Sequence, residues 1–205
     1  MYFKSLIILI CIFIFKFNTV IALTQDLSLT ILVKSSITME YVLAKSVCKL
    51  LDRELRISHS FGGSNTLDCL TRLDDSVDEI IKKIEQNQFQ YAIIKKADLA
   101  NRPSNLAIRS ILYFPAGEDY VFITNQNVDP TIIKDINYGI LNHLLEFRYL
   151  HEAFYNFDEE NLIVKQDIPM HMGTLRFSDE WKTDKKRRFI AVSYTHLTLP
   201  TKRIV

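Results

Sequence analysis

The residues of this chain that are able to do chemistry are few and widely spaced. Of the five histidines, His143, His151 and His171 stand eight and twenty residues apart, whereas two metal ligands on one helix face need a spacing of three or four. No metal ligand set is therefore expected, and no cofactor. The chain holds neither a glycine-rich phosphate loop nor a G-x-S-x-G elbow, which removes the common frames for phosphoryl and acyl transfer. Cys69 with His59 is the one nucleophile and base pairing to consider. A disulfide between Cys48 and Cys69 is the stronger expectation, because they are the two cysteines outside the apolar N-terminal run and an even pair in an exported chain is normally joined. The chain is not read as an enzyme.

Binding chemistry is better represented. Ser35 and Ser36, with Thr38, precede a helix, and Ser76 opens another with the capping pattern Ser76-x-x-Glu79. The free N–H groups of a helix start, at the positive end of its dipole, suit a carboxylate. Ser76 reads evenly as a ligand contact and as a simple cap, and the charges of Asp75 and Glu79 oppose an anion there. Tyr41 reads evenly as a cleft wall and as packing of the first helical turn. Lys95, at a strand end, is a cation of the kind that pairs with a carboxylate, against the commoner outcome of a solvated lysine.

The elements that must position these residues follow from hydrophobic period. Alternating Leu27, Leu29, Ile31 and Val33 predict a strand over 26–33. Leu43, Val47, Leu50 and Leu51 share one face of a helix from Thr38 to about Leu55. Ser58 to Thr66 is a loop, Leu67 to Leu73 a second strand, and Ser76 starts a second helix with Val77, Ile80, Ile81 and Ile84 inward. Phe89 to Ile94 is a third strand with the continuous apolar character of a parallel interior position. Strand, helix, strand, helix, strand predicts an α/β fold, a doubly wound parallel sheet. Farther on, Ala107 to Phe114 and Asp119 to Thr124 read as strands around Pro115-Ala-Gly117, Ile136 to Ile140 as a weaker strand, and Asn142 to Asn156 as a helix. Residues 167–189 carry no readable period. The paired strands place a boundary near Ile111 to Tyr120, with a first lobe over 23–114 and a partial second lobe over 115–191.

Both ends read as something other than fold. One lysine, Lys4, precedes the apolar run Leu6 to Phe15, too short to span a bilayer, and Val20-Ile21-Ala22 supplies small residues at an exit. Residues 1–22 are expected to be a signal peptide cleaved after Ala22, with an uncleaved anchor as the alternative. Val192 to Thr201 resembles translated sequencing-adapter read-through, so 192–205 is expected to be an artefactual tail. Those two ends contain four of the 25 basic residues and none of the 24 acidic ones, which leaves the rest of the chain with an excess of three acids. Such a balance argues against nucleic acid as a partner. Apolar residues at 48% and charged residues at 24% are globular values.

Taken in order, these motifs resemble one family. Tyr41-Val-Leu-Ala-Lys-Ser-Val-Cys48 resembles the start of the first helix in the TAXI family of TRAP transporter solute-binding subunits, and Cys69 stands where that family also opens a strand with cysteine. Asp75-Ser76 takes the place of its Gly-Ser; Gln88 to Ile94 followed by Asp98 resembles its strand and loop aspartate. Ile111-Leu-Tyr113, Val121-Phe-Ile123 and Asp135 to Asn142 fit the segments after it, so the match spans about residues 27–142. The family's glycine-rich first loop is here Lys34 to Glu40, and its Gln-Ser-Asp is Lys95-Lys-Ala-Asp98. The resemblance implies a periplasmic-binding-protein-like fold (type II) of two lobes closing on a small organic anion, an acidic amino acid or other carboxylate. Its partners are then TRAP-type membrane permease subunits, and its place the periplasm. The alternative is a diverged receptor fold serving as an envelope interaction protein.

Overall fold

A computed structural model of the chain describes residues 29–58, 68–74, 76–100, 107–165 and 167–195. The expected signal segment, most of the Ser58–Thr66 loop, Asp75 and residues 196–205 lie outside them. The described residues build an α/β domain around one five-stranded sheet of order β2-β1-β3-β5-β4. Its strands are β1 (Leu29–Val33), β2 (Cys69–Leu73), β3 (Tyr91–Lys95), β4 (Ile108–Ala116) and β5 (Glu118–Asn125). Helix α1 (Met39–Ser58) joins β1 to β2, and α2 (Val77–Glu85) joins β2 to β3. The C-terminal part adds α3 (Pro130–Asn142), α4 (Leu144–Arg148), α5 (Glu159–Leu162) and α6 (Met172–Thr195).

Strands β1, β2 and β3 are parallel, with Val33 opposite Leu73 and Ile31 opposite Tyr91, as the repeat of strand and helix predicts. Side chains alternate across the sheet because the pleat has a period of two. Ile31, Val33, Tyr91, Ile93 and Phe122 pack on one face with Leu43, Val47, Leu50 and Leu51 of α1 and with α3 to α6. Leu32, Ala92, Ile94, Val121 and Ile123 meet Ile80, Ile81 and Ile84 of α2 on the other. The sheet is thus covered on both faces, as a doubly wound fold requires.

Several expectations are corrected. The paired strands do not open a second lobe among the described residues. β5 runs antiparallel between β3 and β4, pairing Ile93 with Phe122 and Lys95 with Tyr120, so the hairpin completes the first sheet. Residues 126–165 and 167–185 then pack back on that sheet, where Phe114, Phe147, Phe154 and Phe157 form an aromatic cluster with no exposed surface. Ile136 to Ile140 is not a strand but lies within α3, whose start is set by Asp129 accepting from Thr131 N at 2.8 Å and by Pro130 in the first turn. The helix expected from Asn142 to Asn156 breaks after Arg148, because His151 turns extended and its ring Nδ1 accepts from Ala153 N to cap a short 3-10 turn. Residues 172–189, unreadable by period, belong to α6, which continues to Thr195 and so takes in the first four residues of the expected tail.

α6 is held by polar contacts in a dry place. Asn137 Nδ2 donates to Thr174 Oγ1 at 3.1 Å, and that hydroxyl donates to the Ile111 carbonyl at 3.2 Å. Gly173 lets α6 approach α3: a Cβ there would meet the Pro130 carbonyl oxygen and stand 2.7 Å from Ile133 Cβ.

Cys48 of α1 and Cys69 of β2 are joined in a disulfide, as expected from their count. A persistent disulfide belongs to an oxidising compartment outside the cytoplasm. Among the described residues no helix is long and apolar enough to cross a membrane.

Candidate functional site

In an open α/β sheet the natural place for a ligand is the crevice outside the carboxyl ends of the strands, where the strand order reverses. Here the chain moves outward from β1 to β2 and then returns past β1 to β3, so the reversal lies between the ends of β1 and β3. Lys34 to Thr38 leave the first of these ends, and Lys95 closes the second, followed by a 3-10 turn over Lys96–Leu99.

The serines at the start of α1 are arranged as a turn. Ser35 Oγ accepts from Ile37 N at 3.4 Å, and Thr38 Oγ1 donates to the Ser35 carbonyl at 2.9 Å. The Thr38 carbonyl accepts from Tyr41 N and Val42 N, which puts Thr38 at the helix boundary. Ser36 is exposed and Ser35 half-buried. Tyr41 is half-buried against the main core, with the Lys45 ammonium 5.6 Å from its ring centre.

Ser76 stands elsewhere. It caps α2, its Oγ accepting from Glu79 N at 3.2 Å, and α2 lies on the face opposite α1. Parallel β1 and β2 do bring both helix starts to the same sheet edge, but on its two sides. Beside Ser76, Asp74 is paired with Lys83 of α2 at 2.6 Å.

Lys95 belongs to the α1 side, since it follows Tyr91 and Ile93 in the alternation of β3. Its Nζ lies 2.6 Å from Glu118 Oε1, and the Tyr120 hydroxyl donates to Glu118 Oε2 at 3.1 Å. The hydrogen bond to Glu118 raises the Lys95 ammonium above its ordinary value, and bonds from Lys95 and then Tyr120 hold the Glu118 carboxyl below the usual range. Burial, followed by its bond to Glu118, pushes the Tyr120 hydroxyl up to about 12. On the solvent side of this pair is a groove of about 480 Å³, walled by the 3-10 turn from Lys95 to Ala97 with Ala100 and by the hairpin corner from Gly117 to Asp119.

The structure therefore brings Ser35, Ser36, Tyr41 and Lys95 to one side of the strand ends and leaves Ser76 on the other. It adds three residues that the sequence did not reveal: Glu40 in the first turn of α1, buried at 7% exposure, together with Glu118 and Tyr120. Glu118 lies 23 residues from Lys95, and only the β3–β5 pairing makes them neighbours. Among the described residues no group of histidine, cysteine and carboxylate side chains is placed to hold a metal ion. No model of a known protein family and no curated protein matches the chain.

Proposed function

We propose that this chain is a solute-binding receptor of the TAXI kind. It is exported to the periplasm, captures a small organic anion and hands it unchanged to TRAP-type permease subunits. The observation that carries this reading is the placement of Lys95 at the reversal of strand order, beside a groove and on the same side as the start of α1. A solute carboxylate there draws on the Lys95 ammonium and on the N–H groups of the first α1 turn. In this proposal the described domain is one lobe of a periplasmic-binding-protein-like architecture of type II, and solute closes it against a second.

The second reading, an envelope interaction protein on a diverged receptor fold, draws on a different observation. Lys95 is already neutralised by Glu118, and the loop from Lys34 to Glu40 has no glycine to let a ligand near the backbone. Thermal unfolding of the purified full-length protein against a series of small mono- and dicarboxylates separates the two. A receptor gains about 2.7 kcal/mol at a hundredfold excess over Kd by mass action. A melting temperature indifferent to every solute would sink the receptor reading and favour the other.

A further inference from the structure

The two edges of the sheet are finished differently. At the β4 edge the register shifts between Ser110 and Leu112, Pro115 has no N–H to offer, and the chain returns to cover the strand: Ser110 N donates to the Pro169 carbonyl and His171 N to the Ser110 carbonyl, both at 2.9 Å. Such devices keep a sheet edge from adding a further strand. The β2 edge has none of them. Its residues, Cys69-Leu-Thr-Arg-Leu73, include no proline, glycine or lysine. Its one charge, Arg72, is turned back over the sheet, with the guanidinium 5.1 Å from the Phe89 ring centre.

The hydrogen bonds to β1 show which backbone groups face outward. Leu29 N donates to the Asp68 carbonyl and Asp74 N to the Val33 carbonyl. In a parallel ladder the even-numbered residues of β2 therefore turn their backbone to β1, and Cys69, Thr71 and Leu73 turn theirs away. Among the described residues one of these outward groups has a partner: Cys69 N donates to Asp52 Oδ1 of α1 at 3.1 Å. That bond and the disulfide to Cys48 hold the edge in place, which lowers the entropy cost of pairing with it. Apolar side chains flank it on both faces, Leu70 at 57% and Leu73 at 50% exposure.

We infer that β2 is an interface, and that its partner is β2 of a second copy of this chain, paired antiparallel about a two-fold axis at Thr71. An open backbone edge calls for a strand; the choice of a second copy comes from the residues of β2 itself. Centred on Thr71, the pairing sets Thr71 against Thr71, Cys69 against Leu73 and Leu70 against Arg72. The two Arg72 side chains stay apart and both leucines gain a neighbour. The outward groups meet as hydrogen-bonded pairs: Thr71 N–H donates to the Thr71 carbonyl and Leu73 N–H to the Cys69 carbonyl, each bond repeated by symmetry. The donor left over, Cys69 N, is the one that Asp52 already engages. Asp74, which then faces Asp68, carries its own counter-ion in Lys83. This inference stands apart from the receptor reading.

Sedimentation velocity of the purified full-length protein, with the disulfide intact and no solute present, should show a dimer whose share rises with concentration. Leu70→Lys puts a charge on the exposed edge, and Thr71→Pro removes a donor that points away from β1. Each should weaken the dimer by about tenfold or more while circular dichroism stays that of the parent. Leu70 is exposed, so its variant keeps the fold whatever becomes of Thr71→Pro. Cross-linking tests the register. Leu70 and Arg72 of opposite copies form a non-hydrogen-bonded pair with Cα atoms about 4.5 Å apart, within reach of a disulfide. Leu70→Cys mixed with Arg72→Cys should give an oxidised dimer that neither variant gives alone. A monomer at every concentration, a dimer indifferent to Leu70→Lys, or no cross-link specific to the mixture overturns the inference.

Discussion

Cys48, midway along α1, is bonded to Cys69, the first residue of the outermost strand β2, with Cα atoms 5.0 Å apart and a separation of 21 in sequence. The bridge fastens an edge strand that otherwise pairs on one side only, with β1. Closing a loop of this length lowers the entropy of the unfolded chain.

Cys48→Ala with Cys69→Ala should therefore destabilise the domain by about 3 kcal/mol. Urea unfolding of the double variant and of the oxidised parent measures it. A difference below about 0.5 kcal/mol would mean that α1 and β2 are held by packing alone.

Gly173→Ala should destabilise by about 1–3 kcal/mol, because the added methyl meets the Pro130 carbonyl and Ile133 on α3. Gly117 is the contrasting case, since its added Cβ meets nothing within 4 Å, although its φ of +78° disfavours a side chain. If Gly173→Ala unfolds at the same urea concentration as the parent, the close approach of α6 to α3 is wrong.

His171 gives a dependence on pH. It is 1% exposed, Nδ1 accepts from Gly173 N at 3.1 Å, and Nε2 has no partner among the described residues. Burial lowers its pKa from the ordinary 6.5, with the nearby backbone of Gln126 and Val128 opposing and the Arg109 charge reinforcing. The native state thus holds the ring neutral, and the unfolded chain takes up the proton first. This contribution is complete above about pH 6.5 and is lost as pH falls below it toward the depressed native value. Urea midpoints at about pH 7.5 and about pH 5.5 should differ more in the parent than in His171→Asn, whose side chain retains an acceptor. Equal differences would show that His171 does not carry the effect.

What could be read from sequence was local. Ile31, Val33, Ile93 and Ile94 sit in short apolar runs with caps between them, and those runs gave three strands, two helices and their parallel order. α3 was missed although Asp129-Pro130 announces a helix start, because Asn137 and Gly139 look wrong for a helix core; both are buried there, Asn137 by its bond to Thr174. α6 was unreadable because its inward side mixes Phe177 with the polar Thr174 and Ser178, while Met172 and Leu175 face outward. The place of β5 was hidden for another reason. Whether a hairpin continues one sheet or begins another is decided by strand partners far away in sequence, such as Tyr91 for Thr124. The same distance concealed the partner of Lys95, so one member of the charged cluster was legible and the rest of it was not.

The unequal lengths of β3 and the hairpin have a mechanical result. β3 ends at Lys95 opposite Tyr120, whereas β4 and β5 continue until Ala116 meets Glu118 around Gly117. The corner of the hairpin is thus a cantilever that projects past the last strand supporting it. Glu118 rides on its free end and Lys95 on the fixed bed below. The Lys95–Glu118 ion pair therefore ties that projecting corner back to the end of β3.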